Sequence, residues 1–371
     1  MANLRHTFKG YLYQDLVSAL KIAETLLGRA DRVVLDTKLH QFDVFDDVSV
    51  WTGNRRVRRQ VKHASDAARM FEAADLRTHQ SNTRVDVLCR SVLAAGSACA
   101  DEHRVCACWS EPSDADLKLL LVPTEAFGTF PGCRTSLYKL NLSFLWPAGG
   151  NPAWPFMNSD GLSRDQYAAL CNRLVLEIAC PRMSADLRTP GPAESVLLQL
   201  LADEIGVGRF PNQHISAEDA AARLVYEAMA ARASGRQIVE SDVQSMLRLR
   251  TDYGRVAQRF PIRAAEAVDF SNSRKAIRDC ALQSQRVLVV GPPGSGKSWL
   301  LTQLAHDLQS DGGAVGRHYC YISVNDLDAS KRVLTETLYG NLTASLIDAV
   351  PEIGRLTLQR YVGSTRTVGT R

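Results

Sequence analysis

Residues 286–308 read RVLVVGPPGSGKSWLLTQLAHDL, and no other stretch limits the fold as much. Positions 286–290 have the continuous apolar character of a strand covered on both faces, as in a parallel sheet. They run directly into Gly291-Pro292-Pro293-Gly294-Ser295-Gly296-Lys297-Ser298, and a helical segment follows over 299–308. The G-x(4)-G-K-[ST] spacing between a strand and a helix is a specific signal for nucleotide binding. Glycines let the backbone approach phosphates closely, loop N–H groups converge on the anion, and the helix N-terminus adds positive potential. Gly291, Gly294, Ser295 and Gly296 are therefore the expected phosphate cradle. Lys297 would reach the β- and γ-phosphates of ATP, and the Ser298 hydroxyl would ligate its Mg²⁺.

The next expected strand covers 319–324 (YCYISV), with Asp326 behind it as a weak candidate for a second Mg²⁺-holding acid. A helix is expected over 329–350, and 363–371 reads as a disordered tail. The residues from Arg286 onward are fewer than a complete nucleotide-hydrolysing sheet needs. The expectation is an incomplete module in a fragment or a naturally truncated protein, with no ATP hydrolysis by this chain alone.

A second pattern lies near the start. Residues 42–63 read FDVFDDVSVWTGNRRVRRQVKH. The β-branched and aromatic residues up to Trp51 suit a half-buried strand. Thr52-Gly53-Asn54 supplies a hairpin turn, and Arg56 to His63 alternates as a second strand. A carboxylate leaving the first strand, Asp47 or the lesser candidate Asp46, would then meet Gln60 and Lys62 on the second. A carboxylate and an amide oxygen suit Mg²⁺, which keeps several waters. Lys62 would stabilise charge developing on a scissile phosphate. An exposed hairpin with a charged face is the plain alternative.

Asp47 followed after a hairpin by Gln60-Val61-Lys62 resembles the catalytic core of the PD-(D/E)xK nuclease superfamily, in its Mrr-like branch with Gln in the acidic position. Gly10-Tyr11-Leu12-Tyr13-Gln14, opening a helix expected over 10–28, resembles that branch too, and Gln14 would reach the site from the helix. Asp36, ending a short strand RVVLD, is a further acid of lower rank. Together with the phosphate loop, this resembles the effector-plus-switch proteins of bacterial anti-phage defence, in which a nuclease is joined to a STAND-type NTPase. The resemblance implies that Asp47 and Gln60 hold Mg²⁺, that Lys62 is the catalytic cation, and that a nucleotide-driven homo-oligomer cuts double-stranded DNA.

Composition limits the alternatives. The 371 residues suggest two or three domains, and a net charge of +4 does not make the whole chain a polyanion binder. Basic residues bunch locally at Arg55, Arg56, Arg58, Arg59 and Lys62, either as phosphate contacts or as a solvated strand edge. There is no secretory signal and no membrane-length apolar run, so a cytoplasmic protein with reduced thiols is expected. Cys99, His103, Cys106, Cys108 and Cys133 lack the paired spacing of a structural zinc site.

Between the two motifs, a helix is expected over 66–77, a buried segment of undecided type over 85–95, and a short strand over 117–122. Helices are expected over 167–178, 195–206, 217–233 and 239–249. The chain is thus read as α/β: a mixed-sheet, restriction-endonuclease-like domain over 1–160, a helical connector over 161–269 completing or coupling it, and an incomplete P-loop domain with a parallel sheet over 270–371. A Mg²⁺-dependent endodeoxyribonuclease is the leading expectation. A nucleotide-regulated binding module on a catalytically inactive nuclease-like platform is the competitor, and RNA is an alternative substrate.

Overall fold

The structure is a computed structural model that describes residues 4–350 except 65, 67, 80, 97–99, 185–188, 210, 251–254, 261–267, 285 and 324. The chain forms two compact units, one of Met1–Gly208 with His214–Leu249, the other of Arg209–Gln213 with Arg250–Arg371.

The first unit is an α/β body built on one sheet. Its strands are β1 (Arg32–Leu35), β2 (Val48–Thr52), β3 (Arg55–Lys62), β4 (Ala100–Ala107), β5 (Leu121–Pro123), β6 (Ser136–Leu140), β7 (Leu174–Ile178) and β8 (Ile238–Val239). Their spatial order is β5-β6-β7-β4-β3-β2-β1-β8. The middle three, β3, β4 and β7, run parallel, and the strands on either side pair antiparallel. Thr52 pairs with Arg55 across a two-residue turn, where Gly53 has the positive φ of 56° that suits glycine.

The helices of this unit are α1 (Leu4–Thr25), α2 (Ala73–Arg77), α3 (Val85–Ala94), α4 (Ala115–Leu120), α5 (Leu142–Leu145), α6 (Arg164–Arg173), α7 (Pro192–Gln199), α8 (Ala217–Ser234) and α9 (Glu240–Leu247). Side chains from α3 and α6 join β4, β6 and β7 in one core that includes Leu88, Val92, Val105, Leu140, Tyr167, Leu170 and Leu176. Helix α1 packs against β1, β3, α7, α8 and α9. From Tyr13 to Leu26 every residue of that stretch is buried.

Several local expectations change in the folded chain. The segment 167–178 is helix only as far as Arg173 and then becomes β7, buried at every position in the middle of the sheet. The run at 117–122 divides into the end of α4 and the edge strand β5, and the described residues of 66–77 are helical only over α2. Residues 85–95 resolve as α3. Central strand β4 falls where the sequence showed scattered cysteine and histidine. The segment expected to complete or couple the nuclease-like domain supplies α6, β7, α7, α8, β8 and α9 to the first unit, which runs to Leu249.

The second unit contains α10 (Ser271–Gln283), α11 (Lys297–Ser310), α12 (Ala329–Arg332) and α13 (Thr335–Ala349). The parallel sheet expected here is a correction: residues 286–290 and 319–323 are not in strands, and residue 324 lies outside the described residues. Leu288 and Val290 are 86% and 79% exposed instead of covered. Among the described residues of this unit nothing pairs with these apolar runs, so the pattern that suits a buried strand has no ladder to join. The expected tail, 363–371, lies outside the described residues. No described helix is long and apolar enough to cross a membrane.

Candidate active site

β2 and β3 place the first motif. Beyond the end of the β1–β2 ladder, Asp36 N donates to Asp47 O and Thr37 N donates to Asp46 O. The acidic pair therefore lies just before β2, beside the C-terminal end of β3, where Gln60, Val61 and Lys62 stand. Asp46, Asp47, Gln60 and Lys62 all line one cleft of about 560 Å³, together with Gln14 from α1.

The hydrogen bonds are specific. Gln14 Nε2 donates to Asp47 Oδ1 at 2.8 Å and to Asp36 Oδ1 at 3.0 Å, so α1 is tied to both carboxylates. Val61 N donates to Asp47 Oδ2 at 2.6 Å. Burial pushes the Asp47 carboxyl up to about 7; the Val61 hydrogen bond opposes the rise, and the nearby Asp46 and Asp36 charges add to it. Burial also raises Asp36, which adopts a left-handed φ of 45°. Lys62 is shifted below its usual range by burial, against the attraction of Asp47 and Asp46. Asp46 lies 3.8 Å from the Lys38 ammonium.

Gln60 is the informative residue. It is 5% exposed, and its Oε1 has no hydrogen-bond partner among the described residues. A buried amide oxygen left without a donor is costly, and a site that receives a cation removes that cost. Asp47 and Gln60 together offer the hard oxygens that Mg²⁺ accepts alongside water. No group of three His, Cys, Asp or Glu side chains among the described residues is arranged to hold a metal. His103, one of the residues weighed for zinc, is fully buried, and desolvation first, then the Arg58 charge, lowers it to about 3. Cys99 lies outside the described residues.

The arginine run does not form a free phosphate-binding stripe. Arg58 is fully buried and pairs with Asp43 through both terminal nitrogens. Arg56 pairs with Asp101, Arg55 with Glu102, and Arg59 Nε donates to Thr129 Oγ1 at 3.2 Å. Parallel β4 supplies two of these three acidic partners, Asp101 and Glu102, and that pairing was invisible along the sequence.

Arg232 was also missed. It lies on α8, and its guanidinium stands 2.8 Å from Asp36 Oδ2 and 2.6 Å from Asp15 Oδ1. Arg232, Asp36, Gln14 and Asp47 thus form a chain from the last long helix of the unit to the cleft. An isolated Arg in an amphipathic helix carries no signal of that role; only the packing of α8 on α1 reveals it.

In the second unit the phosphate loop precedes α11. Gly294 and Gly296 both have φ of 80°, and a Cβ on Gly296 would come within 2.9 Å of the Phe270 ring. Lys297 Nζ donates to Gly291 O at 2.7 Å and Pro292 O at 2.8 Å, so the ammonium is folded onto the loop's own carbonyls. Ser295 Oγ is 3.3 Å from the same nitrogen, and Ser298 is exposed at the start of the helix. Asp326 is engaged by Arg332.

Residues 271–368 match the family model described as Nephrocystin 3, N-terminal, a domain associated with NTPase-like proteins. The matched part is about a quarter of the chain and includes this loop. No curated protein matches the chain.

Proposed function

We propose that the first unit is a Mg²⁺-dependent endonuclease acting on DNA and that the second unit binds a nucleotide that controls it. The observation that carries this reading is the meeting of Asp47, Gln60 and Lys62 in one cleft, with Gln60 Oε1 buried and unpartnered. Asp47 and Gln60 would hold the ion, and bound Mg²⁺ would supply Lewis-acid stabilisation of a scissile phosphate. Lys62 places a desolvated positive charge in the cleft, where attraction to a phosphate is stronger than in water. Gln14 orients the Asp47 carboxylate, and Arg232 neutralises Asp36 behind it. In the second unit Gly291, Gly294, Ser295, Gly296 and Lys297 would cradle ATP, and Ser298 would ligate its Mg²⁺. Lys297 must leave the loop carbonyls to reach the nucleotide. A homo-oligomer assembled through the nucleotide unit, with a role in anti-phage defence, follows from the resemblance alone.

Supercoiled plasmid with Mg²⁺, with and without ATP, tests the reading. Nicking by the wild type and none by Asp47→Ala or Lys62→Ala is expected. Cleavage that survives Lys62→Ala overturns it. Activity should also fall below about pH 7, because a protonated Asp47 cannot hold a cation.

The competing reading, a catalytically silent platform for nucleotide-regulated binding, draws on one observation: both Asp47 oxygens already accept hydrogen bonds. Absence of nicking at about pH 8.5, where Asp47 is ionised, would favour it.

A further inference from the structure

Two aromatic side chains in the cleft have no part in the hydrolysis described above. Tyr11 and Phe42 both line it, and they are 56% and 59% exposed. Single exposed apolar side chains are ordinary, whereas apolar side chains gathered at one groove mark a ligand-binding surface. Tyr11 lies on α1 one turn before Gln14, on the helix face that carries Gln14 to the carboxylates.

Phe42 is held out by its loop. The neighbouring Asp43 is buried and accepts hydrogen bonds from Leu39 N, Phe45 N, Ser91 Oγ and the Arg58 guanidinium. Those bonds fix the backbone on both sides of Phe42, so its ring is presented by an ordered loop, at little entropic cost on binding. Lys38 and Arg90 line the same cleft, so the two rings share it with two cationic side chains as well as with Asp47 and Lys62.

We propose that Tyr11 and Phe42 are base-stacking residues, and that the cleft takes a nucleic-acid strand whose bases beside the scissile phosphate are unstacked, either single-stranded or locally opened. The inference rests on the hydrolytic reading of the same cleft and names its substrate form. Every base has a π-face to offer such rings, whereas a closed duplex keeps its faces inside the stack. Lys38 and Arg90 would meet the flanking phosphates. A double-stranded substrate would then have to open locally before it is cut.

The full chain in EDTA, titrated into a single-stranded oligonucleotide carrying one 2-aminopurine, reads stacking directly. Quenching by the wild type is expected, with weaker binding when the 2-aminopurine is paired in a duplex. Tyr11→Leu and Phe42→Leu keep apolar bulk and remove the ring, and each should raise Kd by about fivefold or more. Thermal melts of both should match the wild type, because the rings are outside the core. Variants that bind and quench like the wild type overturn the proposal. Plasmid nicking abolished by Lys62→Ala reports on the hydrolytic reading separately. Nicking together with ring-independent binding rejects stacking alone; ring-dependent binding without nicking rejects hydrolysis and leaves the stacking surface standing.

Discussion

At Asp47 one carboxyl carries opposite demands. Burial holds its folded pKa at about 7, above the ordinary value of 3.8. Between those values the folded chain binds more protons than the unfolded chain, so stability falls as pH rises. The contribution of a protonated Asp47 is fully present below about pH 4 and is lost as pH passes about 7. Asp47→Asn removes the titrating group and keeps an oxygen for Val61 N, while Gln14 can turn its own oxygen toward the new amide. Melting at about pH 5 and pH 8 should show Asp47→Asn gaining stability relative to wild type mainly at the higher pH, by up to a few kcal/mol. A gain that is equal at both pH values would show that the carboxyl is not held protonated. The same variant should lose cleavage, a trade of stability for function at a single residue.

Helix α1 and the loop before β2 show how elements position that residue. α1 is not the one-sided amphipathic helix that its apolar stripe suggests, because it is buried on all sides from Tyr13 onward. Its polar residues find individual partners: Lys21 bonds Glu24 at 2.7 Å, Asp15 forms an ion pair with Arg232, and Gln14 spans Asp36 and Asp47. The loop is organised from β3 by the Arg58–Asp43 pair, which is dry on both sides. Removing one partner of such a pair leaves an uncompensated charge, so Arg58→Ala should cost about 3–5 kcal/mol in a denaturant melt. Asp43→Asn added to Arg58→Ala should recover part of that loss. An Arg58→Ala variant as stable as wild type would mean that the loop is held by its other hydrogen bonds.

For the molecule as a whole, the two units differ in how far their apolar runs are covered among the described residues. All eight strands of the sheet lie between Arg32 and Val239, in the first unit. A protein of residues 1–249 should therefore melt cooperatively and bind Mg²⁺ with the affinity of the full chain. Loss of cooperative melting in that piece would show that the sheet needs the second unit. The second unit leaves Leu288, Val290, Tyr321 and Leu327 exposed, so its nucleotide affinity need not follow from an intact loop motif.

The sequence alone determined what local chemistry dictates. Gly53-Asn54 set the hairpin, because few residues tolerate the turn's backbone, and its register put Asp47 within reach of Gln60 and Lys62. Ser216 capped α8 and the glycine-lysine loop opened α11, since caps and glycine conformations are decided within a few residues. Tertiary structure decided the rest. β4 did not read as a central strand because Asp101, His103 and Arg104 are polar; Asp101 is tolerable there through Arg56, distant in sequence, and Arg104 through Glu102 on the same strand together with Glu177 from β7. β7 reads as a helix continuation until a parallel neighbour exists to pair it. The apolar run before the phosphate loop reads as a buried strand, yet stays exposed where nothing among the described residues pairs with it. Arg232 joined the site only because α8 packs on α1. Burial, pairing and charge compensation depend on what comes near in space, and that is a property of the fold.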